Sequence, residues 1–275
     1  MASGSALRRK PVSIPAVHAY GVAMPAKRSF EELDYRQTPL GELILRRRTV
    51  LSLDGQDVYE IILGEAFLMS SLFTAVEVAL AELGLAAAKQ AGDGNRAGLD
   101  GLDVVVGGLG LGYTARAALD DPGVGTLIVV DYLAPVIEWH QRGLVPLGAG
   151  LASDPRCRFV HGDFFGLALS ADAGFDPDDA GKRFHAILLD IDHSPSSLLH
   201  ERHASFYRPD GLRKLAARLH PGGVFALWSD DPPEAAFLRA LGEVFAGCES
   251  HVVPFHNPLQ NRQSASTVYV ASTPR

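Results

Sequence analysis

Four apolar runs in this 275-residue chain end in groups able to hold or act on a small polar ligand. Gly108, Gly110 and Gly112 follow Val104-Val105-Val106, Asp131 follows Thr126 to Val130, Asp163 follows Cys157 to His161, and Asp190 follows Ala186 to Leu189. In an open sheet of alternating strands and helices, ligands bind beyond the carboxyl ends of the strands, so polar ends in succession describe one site. The glycines let backbone approach a ligand at a helix N-terminus. Asp131 stands where a ribose diol would be held, and Asp163, after Gly162, where an adenine amino group would be. A single strand-end aspartate is as well suited to capping a helix; the recurrence of three carries the reading.

Proton transfer needs a titratable group beside that ligand. Asp190, Asp192 and His193 are the candidates, a carboxylate to orient and deprotonate a nucleophile and an imidazole that titrates near neutrality. Tyr113 and Trp228 are candidate substrate-binding aromatics, and Asp230 and Asp231 follow Trp228. A polar loop of His256, Asn257, Gln260, Asn261 and Arg262 could shape specificity. His193, His200 and His203 have only part of a ligand spacing and little carboxylate support, so no metal is expected.

These groups need a scaffold, and the hydrophobic pattern supplies one. Strand candidates at 103–106, 126–130, 157–161, 186–189 and 224–228 alternate with helical stretches at 113–119, 134–142 and 211–219, which implies a largely parallel sheet. Two last strands, 251–255 and 267–270, have no helix between them and should close the sheet as an antiparallel hairpin. The expectation is an α/β, Rossmann-like domain over 102–275. Before it, runs at 42–46, 49–53 and 57–63, with an Asp54-Gly55 turn, predict a small N-terminal β region. Ser70 and Ser71 are read as caps of a helix carrying Leu72, Val76, Leu80 and Leu83, so that region and its helix span 31–91. Residues 1–30 read as a mobile leader and 92–101 as a polar, glycine-rich linker.

Composition bounds the partners. With 47% apolar residues the chain can bury a large core, and a formal net charge of -7 provides no field to hold a polyphosphate. Nucleic acid is not expected as a partner. No apolar run reaches the roughly 18 residues of a membrane span, and Cys157 and Cys248 lack ligand-like spacing. Reduced thiols, a cytoplasmic location, a small-molecule acceptor and a homodimer that covers the N-terminal sheet edges are the resulting expectations.

Gly108-Leu109-Gly110-Leu111-Gly112, Asp131, Gly162-Asp163 and Asp190 resemble the successive motifs of class I S-adenosylmethionine-dependent methyltransferases. More narrowly, Asp154 to Asp163, Phe184 to Asp190, Ser205-Phe206-Tyr207 and Leu219 to Val224 resemble the spermidine synthase family. The resemblance implies that Gly108, Gly110 and Gly112 pass under the cofactor, Asp131 binds ribose, Asp163 binds adenine, and Asp190 orients and deprotonates an attacking amine. Two positions depart from that family. Gly110 stands where it carries an acid that binds the amine of decarboxylated S-adenosylmethionine, and His193 stands where it places a second aspartate. Without the loop acid, the carboxylate of ordinary S-adenosylmethionine meets no like charge. The expectation is therefore methyl transfer from S-adenosylmethionine to a small nucleophile. The alternatives are aminopropyl transfer from decarboxylated S-adenosylmethionine and a non-catalytic nucleoside-binding module.

Overall fold

The computed structural model describes residues 29–91 and 101–275. The expected leader and linker lie outside the described residues, apart from Ser29, Phe30 and Gly101. Strands β1 (Phe30–Thr38), β2 (Gly41–Val50), β3 (Gln56–Leu63) and β4 (Ala66–Ser70) form an antiparallel sheet in that order. The two runs expected at 42–46 and 49–53 are one strand ending at Val50, followed by a 3-10 turn over Leu51–Leu53. Asp54 and Gly55 make the expected turn with positive φ. The pattern reading missed β1, whose Glu31, Glu32, Asp34 and Arg36 hide its alternation, and β4, of which it used only Ser70, as a helix cap.

Helix α1 (Ala75–Ala91) begins after the two serines that were expected to cap it. Ser71 instead continues the strand pairing: its N–H donates to Tyr59 O, and its Oγ accepts from Tyr59 N, each at 2.9 Å. The hydroxyl completes a sheet edge here, a local backbone bond that competes with capping.

The second sheet comprises β5 (Leu102–Gly107), β6 (Val124–Asp131), β7 (Cys157–His161), β8 (Phe184–Leu189), β9 (Leu219–Ser229), β10 (Gly247–Asn257) and β11 (Arg262–Ser272). Its order is β10-β11-β9-β8-β5-β6-β7. The first five are parallel, and β11 runs antiparallel to β9 and β10. This is the expected α/β arrangement, a mostly parallel sheet with a terminal hairpin. Helices α2 (Tyr113–Asp120), α3 (Ala134–Gln141), α4 (Gly148–Ser153), α5 (Phe164–Leu169), α6 (Pro209–Ala216) and α7 (Ala235–Gly242) complete the layers.

Two apolar clusters cover the two faces. Leu80 and Leu85 of α1, Ala115 and Ala118 of α2 and Trp139 of α3 pack on one face. Phe164 and Phe165 of α5, Leu212 of α6 and Phe237 of α7 pack on the other. Leu43, Leu45 and Ile61 of the first sheet belong to the same cluster as α1 and Trp139, so the small sheet shares the main core. Polar groups reinforce that junction. The fully buried Trp139 donates its indole N–H to Asp34 Oδ2 at 2.7 Å, and Arg36 pairs with Glu138 at 3.2 Å. The small sheet is thereby held over the carboxyl ends of β5, β6 and β8, where a site belongs.

Candidate active site

The loop after β5 is drawn against the end of β8. Gly108 has φ +93°, and a Cβ there would overlap the carbonyl oxygen of Asp190. The backbone bond from Asp190 N to Gly107 O, at 2.8 Å, runs beside it. Asp131, at the end of β6, accepts from Leu109 N through one oxygen and Leu133 N through the other, each at 2.8 Å. Burial raises its pKa, and these backbone donors oppose the rise. His140 Nε2 donates to Gly110 O at 3.0 Å, since a carbonyl can only accept. Its buried Nδ1 has no hydrogen-bond partner among the described residues, and burial lowers its pKa to about 4, so the ring is neutral at pH 7.

Gly110 is determined by a residue from the other sheet. At φ +47°, a Cβ on Gly110 would come 2.6 Å from Met69 Sδ, which also accepts from Leu111 N at 3.0 Å. The thioether of β4 fills the space into which a side chain at 110 would grow.

The carboxylate absent from the loop is not absent from the cleft. Glu77, in the first turn of α1, lines the same cleft as Gly108, Gly110, Asp131, Asp190, His193 and Trp228. Burial, and then the nearby Asp190 charge, push Glu77 up to about 8. Burial likewise pushes Asp190 up to about 6, against the hydroxyl of Thr114, which donates to its Oδ2 at 2.8 Å. Two like charges in one desolvated cleft resist joint ionisation, so one proton is retained near neutral pH. Pattern reading missed Glu77. Its only signal was an acid set within the apolar run of α1, between Val76 and Val78.

Other expected site residues fall elsewhere. Asp163 caps α5, accepting from Phe165 N at 3.2 Å, and is not among the residues lining the cleft. Asp192, 1% exposed, accepts from Leu199 N at 2.8 Å, His203 Nδ1 at 2.9 Å and Tyr207 Oη at 2.8 Å. Those three partners make it a tie within the loop after β8, and it too is outside the lining. Gly112 starts α2 with φ +91°, and Tyr113 contacts Ser71 and senses Glu77 without lining the cleft. His203 is bonded to Asp192 and stacked on Phe165 at 3.9 Å between ring centroids, while His193 lies in the cleft.

A second cavity, about 520 Å³, adjoins the cleft. Met69, Glu77, His193 and Trp228 line both, and the far wall comes from the terminal hairpin with Phe255, Asn257 and Arg262. The polar loop expected to shape specificity thus contributes Asn257 and Arg262 to this wall.

No family model matches the chain. Among curated proteins, polyamine aminopropyltransferase 2 of Pseudomonas aeruginosa is 30% identical over 159 residues. That match covers 54% of this chain and 41% of the relative, so the chain matches about two fifths of the length of that curated relative. The spermidine synthase of Thermotoga maritima superposes with a TM-score of 0.63 at 16% identity, covering 88% of this chain and 72% of that one. A spermidine synthase in complex with the transition-state analogue AdoDATO gives a TM-score of 0.63 at 16% identity, covering 88% and 73%. The sequence relative, named as an aminopropyltransferase, overturns the methyl-transfer expectation and leaves ordinary S-adenosylmethionine as the cofactor without support. The physical error was to weigh a missing charge at position 110 alone, when another element brings a carboxylate into the same cleft. The chain thus has the fold of these spermidine synthases, and part of it is similar in sequence to a polyamine aminopropyltransferase.

Proposed function

We propose that this protein is an aminopropyltransferase that uses decarboxylated S-adenosylmethionine and an amine acceptor. The observation that carries the reading is the pair of buried carboxylates, Asp190 and Glu77, facing one cleft above the glycine loop. Desolvated anions of this kind favour a cationic occupant, which supplies the countercharge that a proton otherwise provides. The cleft also suits a nucleoside: Gly108 and Gly110 line it, and the buried Asp131 borders it. Asp131 would hold the ribose hydroxyls while its backbone bonds keep the loop in register. Bound there, decarboxylated S-adenosylmethionine would supply an aminopropyl carbon activated by its sulfonium.

Asp190 would accept a hydrogen bond from the attacking nitrogen and take up the proton that nitrogen loses as the new C–N bond forms and the C–S bond breaks. A carboxyl held near pH 6 by burial is better matched to that transfer at neutral pH than an ordinary aspartate. Thr114 fixes the carboxylate through Oδ2. Apolar lining from Ile61, Leu63, Leu133 and Val136 keeps water from the reacting atoms. The test is turnover of decarboxylated S-adenosylmethionine with a panel of aliphatic amines, read as release of methylthioadenosine and aminopropylated product by mass spectrometry. Product from at least one amine is expected. No product from any amine, with the folded state verified by circular dichroism, would remove the proposal.

A further inference from the structure

The backbone polar groups of the glycine loop are met inside the protein, and the peptide between Gly110 and Leu111 is met twice. Gly112 N donates to Leu109 O at 2.7 Å, which closes a four-residue turn with Gly110 and Leu111 at its centre. Leu109 N donates to Asp131 at 2.8 Å, Gly110 O accepts from His140 Nε2 at 3.0 Å, and Leu111 N donates to Met69 Sδ at 3.0 Å. In a trans peptide the C=O and N–H point opposite ways, so His140 of α3 and Met69 of β4 grip one peptide from opposite sides.

That peptide is the one such a turn reverses most easily. With φ +47° at Gly110 and no Cβ, both primed turn geometries are open, and they differ by a flip of the central peptide. The loop's own residues do not choose between them. The two side chains do. A flip would set the Gly110 carbonyl against a sulfur that has no proton to donate, and the Leu111 N–H against the Nε2–H of His140.

The surroundings of His140 serve this contact. The ring is fully buried and edge-on to Phe159 with 5.7 Å between centroids, and Gly112 lacks the Cβ that would come 2.8 Å from its Cε1. Its Nδ1 has no hydrogen-bond partner among the described residues, so the ring leaves one nitrogen unsatisfied while the other holds Gly110 O. A leucine would fill the space with no orphaned nitrogen. What the histidine adds is the donor.

Resting on the aminopropyltransferase reading, we propose that His140 and Met69 are positioning residues for the cofactor: they lock the central peptide of the glycine turn in the one orientation that receives the nucleoside. A locked turn binds without first being ordered. A turn free to adopt both orientations presents the receptive one for a fraction of the time, and its apparent affinity falls by that fraction.

Hydrogen exchange at the Leu111 amide, followed by NMR without ligand, and calorimetry with methylthioadenosine test this. The wild type should protect that amide. His140→Leu should speed its exchange at least tenfold, with the amides of β5 and β6 within threefold of wild type, and weaken methylthioadenosine binding at least tenfold. In turnover it should raise the KM for decarboxylated S-adenosylmethionine at least tenfold while kcat stays within threefold, a split that a general loss of structure does not produce. His140→Gln, whose side-chain amide donates to Gly110 O, should bring both exchange and binding back to within threefold of wild type. Met69→Leu keeps the bulk without the acceptor and should speed Leu111 exchange at least fivefold; it decides the matter if His140→Leu does not fold. Leu111 exchange within twofold of wild type in either folded variant, or a methylthioadenosine Kd unmoved by His140→Leu, overturns the inference while leaving aminopropyl transfer standing. A wild type that neither binds methylthioadenosine nor turns over decarboxylated S-adenosylmethionine overturns both.

Discussion

The two ends of the parallel sheet treat the same residue type in opposite ways. At the amino ends of the strands, Asp103 of β5 is half-buried beside Lys182 Nζ at 2.9 Å, the hydroxyl of Thr126 and the ring of His185. Burial by itself would raise its pKa, yet the Thr126 bond and the Lys182 ammonium lower it. At the carboxyl ends, Asp190 and Glu77 have no cation bonded to them among the described residues, and burial raises both. The lesson concerns compensation. A carboxylate whose charge is met by fixed protein partners holds structure together, and one left uncompensated in a cleft is available to a ligand.

The largest effect expected from breaking this contrast is on catalysis. Asp190→Asn should lower kcat/KM by about 10²- to 10⁴-fold, the range for a positioned acid–base group, with little change in melting temperature. Steady-state kinetics with the best amine of the panel measures it, and a loss under fivefold would demote Asp190 to a structural strand end.

A smaller, pH-dependent effect sharpens the comparison. Because the folded-state pKa of Glu77 is raised to about 8 from an ordinary 4.5, its contribution to stability is fully present below the ordinary value and is lost as pH rises through about 8. Glu77→Gln keeps the neutral form at every pH, so its melting temperature should gain on the wild type from pH 6 to pH 9. A difference that stays flat across that series would mean that Glu77 is not desolvated.

The smallest effect belongs to the amino end. Asp103→Asn should cost about 1 kcal/mol of stability, as a partly exposed ion pair does, and leave kcat/KM unchanged. Its depressed pKa means this stability exists above the unfolded value and fades as pH falls through the folded one, so the cost should shrink toward acid. Urea unfolding at pH 7 and pH 3.5 checks both statements.

Much of the frame was legible in the chain. The core strands β5 to β9 and the terminal hairpin follow from apolar runs bounded by turn residues, a short-range signal that burial on both faces makes strong. Asp131 and Asp190, which line the cleft, could be singled out because strand ends in such a sheet are predictable positions. The edges of the small sheet were not: β1 is half charged, and β4 runs without a clear break into the residues preceding α1. Separating Asp190 from Asp192 was equally out of reach. They stand two residues apart in a loop, where no periodicity dictates direction, and only the packing of His203 and Tyr207 draws Asp192 away from the cleft.

The sequence by itself determined the alternation of strands and helices, the glycine turn and the carboxylates at the strand ends, because local hydrophobic period and backbone freedom act over a few residues. Tertiary structure alone decided what those groups face. Met69 fills the space above Gly110, and Glu77 meets Asp190 across more than a hundred residues of chain, because the small sheet and α1 pack over the strand ends. Charge balance in a cleft is a property of everything that converges there, and convergence is set by the fold.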